Sequence, residues 1–150
     1  MTELENVDGG LQVVRGARYA FVALAWAFVA GVALQVFFIG LALFASPDNV
    51  ELHVGLGWIL HLWPILIVIA AALARAGRTR VLQATVLAVI VFIVPILATL
   101  RTDAPVAAAL HPVGALVAFW LAIVVARGAT SLLRETDAEV TPAAVAPIGG

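Results

Sequence analysis

Residues 19–45 read YAFVALAWAFVAGVALQVFFIGLALFA and contain no charged side chain. A helix needs about 20 apolar residues to cross a bilayer core of about 30 Å, so this run predicts a membrane-spanning helix with room to tilt. The run is too long for the apolar part of a cleaved signal peptide, and acidic residues precede it, so we expect it to be retained. Polar residues end it at 46–53, SPDNVELH, where a second apolar run begins.

Three further apolar segments follow the first, at about residues 47–74, 81–100 and 105–126. Short connections join the four segments, so successive helices are expected to lie side by side in opposite directions. The predicted fold is all-α, an integral membrane antiparallel four-helix bundle formed by residues 15–134. Residues 1–14 are predicted to form a polar N-terminal arm. Residues 135–150 lack apolar periodicity and are predicted to be a disordered tail.

The composition independently favours an integral membrane protein in contact with the lipid bilayer. Hydrophobic residues make up 64% of the chain and charged residues only 11%, whereas soluble domains have about 25% charged residues. The absence of cysteine excludes disulfides, thiolate metal sites, iron–sulfur clusters and covalently attached c-type haem. A formal net charge of −1 gives no reason to expect nucleic acid as a partner.

The arginines predict how the chain is oriented. All but one flank the same side of the predicted bundle, at positions Arg15, Arg18, Arg75, Arg78, Arg80, Arg127 and Arg134. Arg101 lies on the other side, near the acidic residues Asp48, Glu51 and Asp103. Because basic residues concentrate on the cytoplasmic side of membrane proteins, we expect a multi-pass protein of the inner (plasma) membrane with both termini in the cytoplasm.

Two predicted spans begin with the same pattern, in which a proline stands six residues before a histidine: Pro47 before His53, and Pro105 before His111. Ser46 and Asp103 match helix N-caps that precede a proline in the first turn. The pattern places both histidines at similar depth, near the outward ends of the second and fourth helices.

The matched histidines predict a haem site. The second and fourth helices of an up-down bundle lie diagonally, with axes about 13 Å apart for neighbours packed at 8–10 Å. Two imidazoles that reach inward across this gap could bind one iron, at about 2 Å each. Gly57 and Ala115, one turn below His53 and His111, would leave room for a flat ring, although small residues also serve simple helix packing.

We therefore expect a small b-type cytochrome-like protein with one haem b ligated by His53 and His111. Its role would be electron transfer or haem handling, together with a quinone or a redox partner subunit. Haem iron that is bound by two histidines has no open coordination position. The sequence therefore favours a redox carrier over an enzyme that activates oxygen.

Two other residues are candidate cofactor contacts. His61 lies two turns deeper than His53 and has no matched histidine, so it is interpreted as a hydrogen-bonding core residue, a quinone contact or an alternative ligand. Arg101 is expected to pair with Glu51 or Asp103. The alternative for Arg101 is a haem propionate, since guanidinium binds carboxylates bidentately.

Alternatives of other classes stay open. Intramembrane histidines can also serve as hydrogen-bonding links between helices or as members of a proton relay. The chain could thus be a cofactor-free accessory or structural membrane subunit, or a small transporter or proton-relay protein that uses His61. A homo-oligomer is compatible with each of these functions.

Short motifs on three spans carry a resemblance to known families. They are Leu34-Gln35-Val36-Phe37 with Gly40-Leu41, Leu52-His53 with Leu56-Gly57, and Leu110-His111-Pro112 with Ala115 and Phe119. With these motifs the chain resembles a family of uncharacterised bacterial four-span membrane proteins. More distantly, the layout is similar to one half of haem A synthase, which pairs histidines from the second and fourth helices of a four-helix bundle around haem.

The haem A synthase resemblance implies haem ligation by His53 and His111, but the chain departs from that family in two places. It lacks the Glu-x-x-His arrangement of the family's reactive site, because Glu51 stands two residues before His53. It also has one residue more between Gln35 and Gly40 than the family's Gln-x-x-x-Gly-like pattern. Cytochrome b561-like proteins are similar as well, but they have two stacked bis-histidine sites where this chain has one matched pair.

Overall fold

The computed structural model describes residues 3–140, without the side chains of 3–8, 137, 139 and 140. The helices are α1 (Glu3–Phe44), α2 (Val50–Leu73), α3 (Arg78–Thr99), α4 (Pro105–Ala108) and α5 (Leu110–Val140), and a short 3₁₀ helix (Pro47–Asn49) precedes α2. No strand occurs within residues 3–140. The predicted all-α class is therefore confirmed.

Four helical segments are long and apolar enough to cross a membrane. They are Gly9–Phe44, Pro47–Leu73, Arg78–Thr99 and Pro105–Thr136, with mean hydropathies between 2.1 and 2.7 over 18-residue windows. Many of their large apolar side chains point outward: Phe44 is 91% exposed and Trp58 is 70% exposed. Such surfaces are suited to lipid, and the length and composition of the segments suggest a multi-pass membrane protein.

Helix α1 begins at Glu3, so the predicted polar arm, as far as it is described, is continuous with the first span. At the other end, α5 continues through Val140. Residues 135–140 of the predicted tail therefore belong to this helix, and the rest of that predicted tail lies outside the described residues.

The end of α5 is held by arginines of two other helices. Arg80 of α3 donates to Glu135 Oε1 (3.0 Å) and to Ser131 Oγ (3.2 Å). Arg18 of α1 donates to Thr136 Oγ1 and, over 3.2 Å, to the Ala74 carbonyl. These contacts favour the continued helix, because most helical stability in proteins comes from tertiary contacts and not from intrinsic preference.

The fourth predicted span is interrupted just before His111. Helix α4 ends at Ala108 and α5 begins at Leu110, with Ala109 between them. The cause is Pro112, which lacks an amide hydrogen and whose ring would clash with the carbonyl of Ala108 in a continuous helix. The segment Pro105–Thr136 thus remains one candidate membrane span, with a one-residue break at Ala109 that leaves His111 and Pro112 in the first turn of α5.

The two expected N-caps have different outcomes. Ser46 caps the 3₁₀ helix, since its side chain accepts a hydrogen bond from the Asp48 amide (3.4 Å) and Pro47 follows in the first turn. Asp103 does not cap its helix: the N-cap of α4 is Ala104, which has no side-chain cap bond.

Each long helix packs against two others: α1 against α2 and α5, and α3 against α2 and α5. Helices α2 and α5 therefore occupy diagonal positions, as the histidine argument requires. Trp63 donates to the Leu24 carbonyl (3.1 Å), and His53 lies against the Gln35 carbonyl. The contact with the higher residue number on α1 thus has the lower residue number on α2.

The tightest packing lies away from the histidine end of the helices. Large side chains that are fully buried include Phe21, Phe28, Ile67, Leu87 and Val125. Among them are buried alanines that allow close helix approach: Ala25, Ala70, Ala71, Ala74, Ala84, Ala122, Ala126 and Ala129. Toward the histidines the burial stops at Leu60, Val91 and Ala118, and a cavity remains between the helices.

Candidate haem or metal site

His53 is oriented by a backbone carbonyl on the neighbouring helix α1. Its Nδ1 lies 3.0 Å from the carbonyl oxygen of Gln35. A carbonyl oxygen can only accept, so Nδ1 must carry the hydrogen and donate it. In the neutral ring this leaves Nε2 with a free lone pair, the form in which imidazole binds metals.

His111 has the same arrangement on the opposite side. Its Nδ1 lies 2.9 Å from the carbonyl oxygen of Val94, on α3. By the same reasoning Nδ1 donates, and Nε2 is free to act as a ligand or acceptor. Metal-binding histidines usually donate their second ring nitrogen to a carbonyl or carboxylate, which fixes both the tautomer and the ring orientation.

The two imidazoles are neighbours, although their helices do not pack on each other. The ring centroids of His53 and His111 are 6.4 Å apart, and the ring planes are inclined at 74°. In a five-membered ring with bonds of about 1.33 Å, each atom lies roughly 1.1 Å from the centre. Two metal–imidazole bonds of about 2.0–2.1 Å in line would place the ring centres about 6.3 Å apart, which is close to the observed separation of the two rings.

A cavity of about 100 Å³ opens between the four long helices at the level of the histidines. Its walls are mainly apolar, and its polar groups come from Gln35, His53, His61 and His111. Gly57 and Ala115, the small residues one turn below the two histidines, also line it.

Gly57 makes room for the side chain of Gln35. A Cβ atom at position 57 would lie 2.9 Å from Gln35 Nε2, closer than a real contact allows. The amide of Gln35 therefore already occupies part of the space beside Gly57. Any flat ligand entering here must share this space with Gln35 or displace its amide.

His61 lies deeper in the same cavity and is not paired with another histidine. Its ring centroid is 4.2 Å from that of Phe92 and 6.1 Å from that of Trp58. Its Nδ1 atom is buried and has no hydrogen-bond partner among the described residues, and the same holds for Gln35 Oε1. His61 is thus placed beside the predicted site rather than in the matched histidine pair.

Arg101 does not behave as expected. It lies exposed in the turn between α3 and α4 and is not part of the cavity wall. Within the described part of the chain the ion pair is Arg80–Glu135, so the favoured pairing of Arg101 with Glu51 or Asp103 is wrong. Both acidic residues are themselves exposed, and solvent leaves little free energy to be gained from such a pair.

A metal ion bound by several protein side chains is disfavoured at this site. Among the described residues, no group of three or more His, Cys, Asp or Glu is placed to hold one. Structural zinc is almost always bound by four protein ligands. The geometry instead offers two histidines, which suits a metal whose remaining ligands are supplied by a cofactor.

Residues 35–101 match the model of DUF6220, a family of unknown function. The matched range contains Gln35, His53, Gly57 and His61, and it ends before His111. This match fits the expected resemblance to an uncharacterised family. No curated protein and no solved structure matches the chain. The similarity to haem A synthase and to cytochrome b561-like proteins therefore has no support from these comparisons.

Proposed function

We propose that this chain is a small b-type cytochrome-like membrane protein that binds one haem through His53 and His111. The supporting observation is the 6.4 Å separation of two imidazoles whose Nδ1 atoms are each engaged by a backbone carbonyl. When bound between two histidines, haem supplies one-electron redox chemistry. The residues of the chain would hold it, keep both rings in the ligating tautomer and exclude water from it.

The two imidazoles suit haem iron, but the cavity between the helices is too small for haem as it stands. The cavity of about 100 Å³ is smaller than the pockets of about 300–1,000 Å³ that hold drug-sized ligands. Haem binding therefore requires cavity-lining side chains of α1 and α3, such as Gln35 and Val94, to move aside. Movement is least costly at this end of the bundle, because the fully buried core lies farther along the helices.

The purified protein tests this proposal directly. When it is produced with an adequate haem supply and purified in mild detergent, we expect about one haem per chain in a pyridine haemochrome assay and a sharp reduced absorption band. Colourless, folded protein under these conditions would contradict the proposal and favour a cofactor-free accessory subunit. Metal analysis of the same sample would detect a non-haem metal held by the two histidines.

The proposal includes an antiparallel bundle in the inner (plasma) membrane with both termini in the cytoplasm. It is supported by the opposite progression of contacts along α1 and α2 and by the arginines, seven of which flank one side. The haem would then lie near the outer face. A single haem there cannot carry an electron across the whole bilayer, so a quinone or a redox partner subunit is part of the proposal. Arg101, on the same side, stays the candidate partner for a propionate.

Single cysteines test the orientation on a chain that has none of its own. Thr102 lies exposed in the turn before α4, and Thr79 lies exposed at the start of α3. We expect a membrane-impermeant maleimide to label Thr102→Cys on intact cells, and Thr79→Cys only after permeabilisation. The reverse pattern would invert the topology and place the histidine site near the cytoplasm.

One observation favours a second candidate function, a proton relay through His61. Its buried Nδ1 has no partner among the described residues, and intramembrane ionisable groups of this kind are often functional. Uptake of protons by vesicles containing the protein, lost in His61→Phe and kept in His53→Ala, would favour this function over haem binding.

A further inference from the structure

Two buried polar atoms meet the same cavity from different helices and have no hydrogen-bond partner among the described residues. They are Gln35 Oε1 on α1 and His61 Nδ1 on α2. Both residues line the cavity, yet the two atoms do not bond to each other. Buried side-chain polar atoms in native proteins nearly always have a partner, which is either a protein group or a bound molecule.

The chemistry of these atoms defines what could satisfy both. Gln35 Oε1 can only accept a hydrogen bond, whereas His61 Nδ1 donates or accepts according to the ring's tautomer. A hydroxyl group has one hydrogen to donate and two lone pairs to accept with, so it can bond to both atoms at once. A purely apolar ligand would leave both of them unpaired.

We infer that the cavity binds a hydroxyl group between α1 and α2, which donates to Gln35 Oε1 and bonds to His61 Nδ1. Two sources supply this chemistry: ordered water, or the hydroxyl of a hydroquinone-class ring. The volume of about 100 Å³ admits a few waters at about 30 Å³ each, and it is smaller than the 150 Å³ cavity that holds benzene. A ring would have to push the surrounding side chains apart, whereas water would not.

This site does not depend on haem. It uses neither His53 nor His111 as a ligand, and His61 lies two turns deeper than His53 along α2. Water trapped beside His61 can stay there when haem enters the outer end of the cavity, but it then loses its bond to Gln35, because the Gln35 side chain has to move aside. A hydroquinone ring would compete with haem for the same space, so the source of the hydroxyl also determines whether both ligands can be present.

A double-mutant cycle tests the inference on protein as purified, by reversible unfolding in mixed detergent and dodecyl sulfate. The variants are Gln35→Met, His61→Phe and the double variant. If a shared hydroxyl is bound, each single substitution lowers the unfolding midpoint. The midpoint of the double variant is then no lower than that of the less stable single variant. This corresponds to a coupling of at least about fivefold in the unfolding equilibrium.

The sign of the single substitutions gives a sharp contrary outcome. If no ligand is present, replacing an unpaired buried polar atom with an apolar one is neutral or stabilising. Unchanged or raised midpoints, or additive effects, would overturn the inference. Gln83→Met combined with His61→Phe is the matched control, because Gln83 does not line this cavity and its effect should be additive.

Two further measurements on the wild-type protein distinguish the sources, and both remain interpretable if a variant fails to fold. A saturable rise in the unfolding midpoint with tetramethylhydroquinone would identify the hydroquinone class. No rise, together with hydroxyl-radical labelling of Phe28, which lines the cavity and is only 1% exposed, would identify trapped water. Absence of both would also overturn the inference, since no hydroxyl source would then be present.

Discussion

Replacing His53 or His111 with alanine is expected to abolish haem binding while the protein stays folded. Each substitution removes one of the two imidazoles that would hold the haem iron, and the chain has no other histidine at that level. Loss of an outer-shell partner alone typically lowers metal affinity by about 10–100-fold, so loss of a ligand should cost at least about 100-fold. The measurement is haem per chain by pyridine haemochrome, on protein checked by gel filtration and circular dichroism.

His61→Ala is the matched control for these variants. It removes the same side chain from the same helix as His53 and from the same cavity, yet the proposed haem does not use it as a ligand. We expect His61→Ala to keep its haem and its reduced band. A band that survives in both His53→Ala and His111→Ala would refute the ligand assignment. A band lost only in His61→Ala would move the haem deeper into the helices.

The positions of the four long helices could be predicted from hydropathy, because length and apolar content decide whether a helix can cross a membrane. Their ends were less readable, since contacts between distant parts of the chain determine them. The bonds from Arg80 to Glu135 and from Arg18 to Thr136 extend α5 beyond the predicted boundary. Pro112, by contrast, was visible in the sequence, and its effect on the carbonyl four residues earlier predicts the break at Ala109.

The pairing of His53 with His111 was also readable, because a repeated Pro-to-His spacing places both rings at similar positions on diagonal helices. Their carbonyl partners were not, since every residue has a backbone carbonyl and only the packing of neighbouring helices selects Gln35 and Val94. The unpartnered amide oxygen of Gln35 was hidden for the same reason. Arg101 shows the opposite error: proximity in sequence suggested ion pairs that the exposed turn does not form.

The contact between α1 and α2 that shapes the cavity depends on Gly31. A Cβ atom there would lie 2.6 Å from Leu60 Cδ2, and Leu60 is only 6% exposed and lines the cavity. We expect Gly31→Val to destabilise the protein by about 1–3 kcal/mol, the usual cost of overpacking a well-packed site. The measurement is the midpoint of reversible unfolding in mixed detergent and dodecyl sulfate.

Gly40→Val, on the same helix, separates overpacking from helix preference. A Cβ at position 40 has nothing within 4 Å, so both variants introduce the same β-branched side chain but only one meets a neighbour. We expect Gly40→Val to change the midpoint little. Equal midpoints for the two variants would mean that α1 and α2 are not in close contact at Leu60. A valine at position 31 would push the Leu60 side chain into the cavity. Gly31→Val should therefore also lower the haem content, whereas Gly40→Val should not.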